Sequence, residues 1–174
     1  MSERRSELLL SSERLVMRPL ESEDYPAFHG LLVEPGVRRY LCDDQVLPED
    51  VTRGFLDRSL ELLARDGSGL WGIRRSADDE LLGVVGFWYF HEPPRCELLY
   101  ALSERVWHNG YASEAARCMI DYGRRLLGMT DILASTDTPN LASIRVLERL
   151  GFVRTDRKLV NGRDTSFFSL LSDA

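Results

Sequence analysis

The sequence predicts an α/β fold, a mixed sheet of seven strands with helices on both faces, in the order βααβββαβαββ. Three observations carry this reading. The spacing of apolar residues switches repeatedly between two and about 3.6 residues, which marks strands alternating with helices. The segments between them are short and rich in Gly, Pro, Asn or Asp, with no repeats or low-complexity linkers. A length of 174 residues, with 44% apolar and 29% charged residues, suits one domain over 1–174 that can bury a sizeable core.

The elements follow in order. Arg14 to Leu20 alternates Leu15 and Met17 with Arg14, Val16 and Arg18, and is a first strand. "ESEDYPAFHGLL" offers Ser22 as a helix cap, acids in the first turn and Pro26 early, where a missing amide costs least. A Pro35-Gly36 turn and the loop "RRYLCDDQVL" lead to a second helix from about Pro48 to Arg65, with Val51, Phe55, Leu60 and Leu63 near one face. Leu70 to Arg75 and Leu81 to Phe90 form a hairpin across "SADDE", and Cys96 to Ser103 is a further strand after the Pro93-Pro94 break. A helix from Gly110 to Leu127 and a strand from Asp131 to Thr136 come next. Asn140 caps the helix to Leu150, with Leu141, Ile144, Leu147 and Leu150 facing the core and Gly151 ending it. Two last strands meet at the Asn161-Gly162 turn.

Composition excludes several function classes. No apolar run approaches a membrane span, and "MSERRSELLL" is too charged for a secretory signal, so a cytoplasmic protein is expected. Cys42, Cys96 and Cys118 are far apart and odd in number, against a disulfide framework or a CxxC site, and His29, His91 and His108 show no ligand spacing. No metal is expected. A net charge of −6 disfavours nonspecific nucleic-acid binding and fits a basic or aminic substrate. Neither GxGxxG nor GxxxxGK[ST] occurs, and Gly83 and Gly86 lie inside a strand pattern where a bulge or close packing is expected.

Two stretches carry chemistry. "VWHNGYASEAA", Val106 to Ala116, joins a strand to a helix through glycine, and presents unpaired amides and the positive end of a helix dipole. Gly110 removes the Cβ that would hold a phosphate off the backbone, and Ala112 and Ser113 keep the next turn low. A plain glycine turn explains the segment equally well. "TDTPNLASIRVLERLGF", Thr136 to Phe152, is satisfied locally by folding alone.

Together the two stretches resemble the GNAT superfamily of acetyl-CoA-dependent N-acetyltransferases. "WHNGYASEA" is similar to its pyrophosphate loop, [QR]xxGx[GA], and "NLASIRVLERLGF" to its later Asn-helix-GlyPhe motif. The branch of ribosomal-protein N-terminal (alanine) acetyltransferases is the nearer likeness, through the tryptophan ahead of the loop, the serine three residues after the asparagine, and "RLGF". The resemblance implies one N-acetyltransferase domain whose mostly antiparallel sheet is splayed between "CELLYALS" and "DILAST", with acetyl-CoA in the opening. It implies that the main chain at Leu102 pairs with the pantetheine arm. His108, Asn109, Gly110, Ala112 and Ser113 would face the pyrophosphate, and Asn140 would hold the arm from the other side. The loop departs from the family where His108 and Asn109 replace the usual glycine or cation, although a protonated His108 restores some charge.

Acetyl transfer needs a neutral amine, a sink for its proton and help for the departing thiolate. Resemblance to this branch places an acid at Glu97, facing the split, as the base; an ordinary strand-end glutamate is the alternative. An α-amine of pKa about 7.8 is roughly 14% neutral at pH 7, against about one lysine in 2,500, a gap of roughly 3.5 kcal/mol. With no histidine–carboxylate dyad apparent in the sequence, an α-amine acceptor is favoured. The tyrosine that many members place near the sulfur is Leu147 here, and the branch suggests Ser143 as the donor instead. By resemblance, "VRRYLCDDQ" and "LVNGRDTSF" flank the acceptor groove, where Asp43, Asp44 and Glu92 would attract an ammonium and Tyr40 or Trp88 line its path. The expected function is acetyl transfer to a primary amine on a small molecule or a protein amino terminus, with no nucleic-acid or membrane partner and a homodimer left open. The alternatives are an antibiotic or polyamine acetyltransferase and an acetyl-CoA sensor without turnover.

Overall fold

The computed structural model describes residues 8–171, and the charged segment 1–7 that bears on the signal-sequence expectation lies outside them. The strands are β1 (Leu10–Ser11), β2 (Leu15–Pro19), β3 (Gly69–Arg75), β4 (Leu81–Phe90), β5 (Arg95–Leu102), β6 (Asp131–Asp137), β7 (Val153–Val160) and β8 (Arg163–Leu171). The helices are α1 (Tyr25–Val33), α2 (Pro35–Leu41), α3 (Glu49–Asp66), α4 (Tyr111–Arg125) and α5 (Leu141–Arg149). They build one sheet in the order β1-β2-β3-β4-β5-β6-β8-β7, antiparallel except at β5–β6. The predicted mixed, mostly antiparallel fold is present. The eighth strand is β1, whose two residues pair with Val16 and Met17 and are too few to show a period.

Four local expectations are corrected. Pro35 and Gly36 begin helix α2 rather than a turn: proline suits the first helical position, and the Glu104 carboxylate accepts the Gly36 amide at 2.5 Å. Ser22 opens a short 3-10 turn instead of capping a helix, and the Asp24 carboxylate accepts the Glu21 amide at 3.0 Å. Helix α3 buries Thr52, Leu56, Ser59 and Leu62, while Val51 and Phe55 stay 39% and 37% exposed. Its buried face includes two hydroxyl residues, which an apolar count skips. The Thr52 hydroxyl meets His29 Nδ1 at 3.0 Å, and Ser59 Oγ accepts the Leu70 amide at 2.8 Å, so both are buried at little cost. Leu141, expected inside, is 58% exposed at the start of α5, whereas Ile144 and Leu147 are buried.

The sheet separates two cores. One lies under α4 and α5 and contains Trp71, Phe87, Met119 and Leu147; the other lies under α1–α3 and contains Phe28, Leu56 and Leu99. Successive side chains of β5 alternate between them, so Leu98, Tyr100 and Leu102 face α4 and α5 while Glu97 and Leu99 face α1–α3. Cβ atoms at Gly83 and Gly86 would collide with the carbonyls of Ala101 and Gly69, so close strand packing is the role of both. At the β7–β8 hairpin, Asn161 (φ 50°) and Gly162 (φ 80°) form the expected two-residue turn.

The central feature is where the sheet opens. β5 and β6 meet at a single register pair, Glu97 with Leu133, and beyond it the two strands diverge. β6 stays paired to β8 along its whole length, from Asp131 with Leu171 to Asp137 with Thr165.

Candidate active site

One side of the opening is the amino terminus of α4. Gly110 precedes it at φ 78° and His108 stands at φ 63°, so the chain turns sharply twice in three residues. The Asn109 amide fastens the turn by donating to the carbonyls of Val106 (3.0 Å) and Trp107 (3.1 Å). The first-turn amides of Tyr111, Ala112 and Ser113 have no carbonyl four residues back inside the helix. The Ser113 hydroxyl is buried without a hydrogen-bond partner. A Cβ at Gly110 would find only Arg14 Nη2, at 3.6 Å. Amides, an orphaned hydroxyl, an open floor and a nearby guanidinium fit the pyrophosphate of acetyl-CoA.

Arg14 is a residue that the sequence reading missed. It lies almost a hundred residues from the loop, yet its guanidinium packs over the Tyr111 ring at 4.7 Å and bonds the Glu114 carboxylate at 2.6 and 2.8 Å. It puts a guanidinium, paired with Glu114, beside the Gly110 turn. Its place in the first strand gave no sign of this.

Along β5, Ser103 bonds back to Leu82, so by antiparallel alternation the main chain of Leu102 and Tyr100 faces away from β4, towards the opening. The Leu102 carbonyl accepts the Trp107 indole N–H at 2.7 Å, which leaves the Leu102 amide to pair with a ligand. Across the opening, Asn140 caps α5 by accepting the Ser143 amide at 3.2 Å. The Ser143 hydroxyl lies 2.9 Å from the Tyr100 hydroxyl, which also donates to the Ser143 carbonyl at 3.1 Å. Burial pushes the Tyr100 phenol up to about 12, so it remains a protonated donor at neutral pH. Leu147 is 1% exposed and belongs to the core, and the phenol that reaches Ser143 comes from the strand, at Tyr100. Tyr100 was legible only through the alternation of β5.

The opposite face carries a second polar cluster. Glu97 is 1% exposed. Its Oε2 accepts the Ser135 hydroxyl at 2.5 Å, and its Oε1 has no hydrogen-bond partner. His91 Nε2 lies 3.0 Å from Ser135 Oγ and 3.4 Å from Glu97 Oε1, and Arg95 Nε lies 3.6 Å from the same oxygen. A histidine–carboxylate pair is therefore present although no sequence spacing announced it. The β4–β5 register brings Trp88 opposite Glu97 and Phe90 opposite Arg95, and the turn between them folds His91 back over the carboxylate.

The remaining candidates are dispersed. Trp88 shares the face of Glu97 and lines two cavities. One is a groove of about 380 Å³ with Arg58, Arg65, Tyr89 and His91; the other is an apolar pocket of about 70 Å³ with Phe28, Phe55, Phe90 and Leu99. Asp44 pairs with Arg38 at 3.1 Å and Asp43 with Arg163 at 3.4 Å, so arginines offset the charges expected to draw an ammonium. Tyr40 packs under Arg39 at 5.3 Å, and Glu92 is exposed at the β4–β5 turn. Among the described residues no group of His, Cys, Asp or Glu side chains is arranged to hold a metal, and no helix is long and apolar enough to cross a membrane.

Comparison with known proteins gives the geometry a lineage. An uncharacterized N-acetyltransferase, p20 of Bacillus licheniformis, is 30% identical over 169 residues, covering 93% of this chain and 95% of its own. An acetyltransferase of Agrobacterium tumefaciens str. C58 superposes with a TM-score of 0.83 at 24% identity, covering 94% of both chains. A ribosomal L7/L12 alpha-N-protein acetyltransferase, RimL, solved in complex with coenzyme A, gives a TM-score of 0.79 at 20% identity over 94% of this chain and 97% of its own. Residues 14–153 match the acetyltransferase (GNAT) domain family, a span that runs from Arg14 beside the Gly110 turn through Glu97 and Ser143, and the chain is a GNAT acetyltransferase.

Proposed function

We propose that the protein transfers the acetyl group of acetyl-CoA to a primary α-amine at the amino terminus of a protein or peptide. The observation that carries this reading is the buried Glu97 carboxylate, with one oxygen that accepts no hydrogen bond, beside His91 and Arg95, at the point where β5 and β6 part. Acetyl-CoA supplies a thioester open to attack by a neutral amine. The α4 amides, the Ser113 hydroxyl and Arg14 hold its phosphates, the Leu102 amide and Asn140 hold its arm, and Glu97 Oε1 takes the proton of the amine. Ser143, backed by Tyr100, donates to the departing sulfur. The two polar clusters lie on opposite faces of the sheet, which suits a cofactor entering from the α4–α5 side and an acceptor from the α1–α3 side. The His91–Glu97 pair removes the argument from a missing dyad, but an α-amine, already partly neutral at pH 7, still asks less of the base than a lysine does. The likeness to an alpha-N-protein acetyltransferase supports the same acceptor class.

Release of free CoA, followed over a panel of amino-terminal peptides, peptides with a blocked terminus and an internal lysine, polyamines and aminoglycosides, tests the proposal. Turnover of free-terminus peptides at least tenfold above the others is expected. A panel led by polyamines or aminoglycosides would replace it with the small-amine reading.

A further inference from the structure

We propose that Ser135 and His91 form a proton outlet for Glu97, carrying the proton taken from the acceptor amine to the groove between α3 and the β4–β5 turn. This rests on the reading of Glu97 as the proton acceptor. A carboxylate that takes a proton in every turnover must also lose it, and Glu97 is too deeply buried to give it directly to water. Among the described residues Ser135 alone makes a hydrogen bond to the carboxylate, on Oε2, while His91 Nε2 stands 3.4 Å from Oε1 without hydrogen-bond geometry. The next group along is His91 Nε2, 3.0 Å from Ser135 Oγ. The side chain of His91 is 18% exposed and lines the 380 Å³ groove, so the path ends at solvent. The other charged groups on this route are Arg95 beside Glu97 and Arg58 and Arg65 across the groove, and a guanidinium accepts no proton. Glu92, the next residue of the same turn, is exposed. The ring of His91 packs against Phe167 at 5.2 Å and Phe90 at 6.1 Å, which holds Nε2 towards Ser135. Its backbone stands at φ 67°, where asparagine or glycine is the less strained choice.

The transfer balances with one proton entering and one leaving. The amine N–H breaks as an O–H forms on Glu97. The carboxyl group turns to bring its new O–H to Ser135, whose hydroxyl swings from Glu97 to His91; the carboxyl proton then passes to Ser135 Oγ while the serine's own proton passes to His91 Nε2, and His91 releases its Nδ1 proton to groove water. The hydroxyl and the ring return to their starting forms by turning and by exchange with that water.

Chemical rescue tests the outlet. His91→Gly suits the positive φ and opens room for imidazole beside Ser135. Steady-state kcat at saturating acceptor is expected to fall roughly tenfold or more, with acetyl-CoA affinity and the single-turnover rate within about twofold of wild type, and added imidazole restores much of kcat. Ser135→Ala is expected to show a similar loss that imidazole does not restore, and it carries the test if His91→Gly folds poorly. A His91→Gly kcat within twofold of wild type, or a loss that imidazole leaves untouched while Ser135→Ala is normal, overturns the outlet. Glu97→Gln separates the two levels of the argument: an unimpaired Glu97→Gln removes Glu97 as proton acceptor, whereas an impaired Glu97→Gln beside normal His91 and Ser135 variants removes the outlet alone.

Discussion

Ser143 and Tyr100 bring two hydroxyls together across the opening. The serine sits in the first turn of α5, and the phenol reaches it from β5 across the opening. If this pair donates to the leaving sulfur, Ser143→Ala should slow the chemical step about ten- to a hundredfold, the worth of one hydrogen bond to a developing charge of roughly 1.5 to 3 kcal/mol. Single-turnover rates with melting temperatures alongside check this; a rate within twofold of wild type would leave Ser143 a helix residue only. Leu147→Tyr, by contrast, is expected to lose stability without restoring rate, because Leu147 is packed in the core. Tyr100 also predicts an alkaline effect. Burial raises its phenol from the usual 10 to about 12, so it favours the fold fully below pH 10 and loses that contribution as pH rises towards 12. Tyr100→Phe should flatten the fall of melting temperature between pH 10 and 12, with Tyr122, likewise raised to about 12, keeping part of the slope.

At the scale of elements, the turn into α4 and the hairpin β4–β5 set up the two halves of the site by different means. The turn is encoded locally. Gly110 stands at φ 78°, so Gly110→Val adds backbone strain and puts a branched side chain into the floor that a phosphate would approach. Calorimetry is expected to show coenzyme A binding weakened at least tenfold, and unchanged affinity in a folded variant would remove the loop assignment. The hairpin is encoded by register. Trp88 opposite Glu97 fixes where the following turn lies, and that turn delivers His91 to the carboxylate.

Across the whole molecule, β2 and β3, on one side of the strands that carry the candidate site, are tied to α1 by a buried ion pair. Arg74 of β3 is almost fully buried and bonds Asp24, which precedes α1, at 2.5 Å, while Arg18 of β2 reaches the same carboxylate at 3.0 Å. Truncating one partner leaves a buried guanidinium short of its counter-charge. Asp24→Ala should therefore cost about 3 kcal/mol, seen as a melting temperature lower by roughly 6 to 12 °C. A drop under 2 °C would mean that Asp79, 3.0 Å from Arg74 Nε, compensates for the loss.

Much of this was written in the order of residues along the chain. The alternation of Leu15 and Met17, the glycine turn at Gly110 and the Asn140 cap each depend on neighbours within about four positions, so the periods and turn residues were enough to read them. The splay itself came from resemblance, and the strand pairing agrees with it. What only the tertiary structure decided are contacts between distant segments: Arg14 beside Gly110, Tyr100 against Ser143, and Ser135 and His91 around Glu97. A side chain's local sequence does not record which strand will pair beside it. These partners follow from register and crossover, and the packing of the whole sheet sets both.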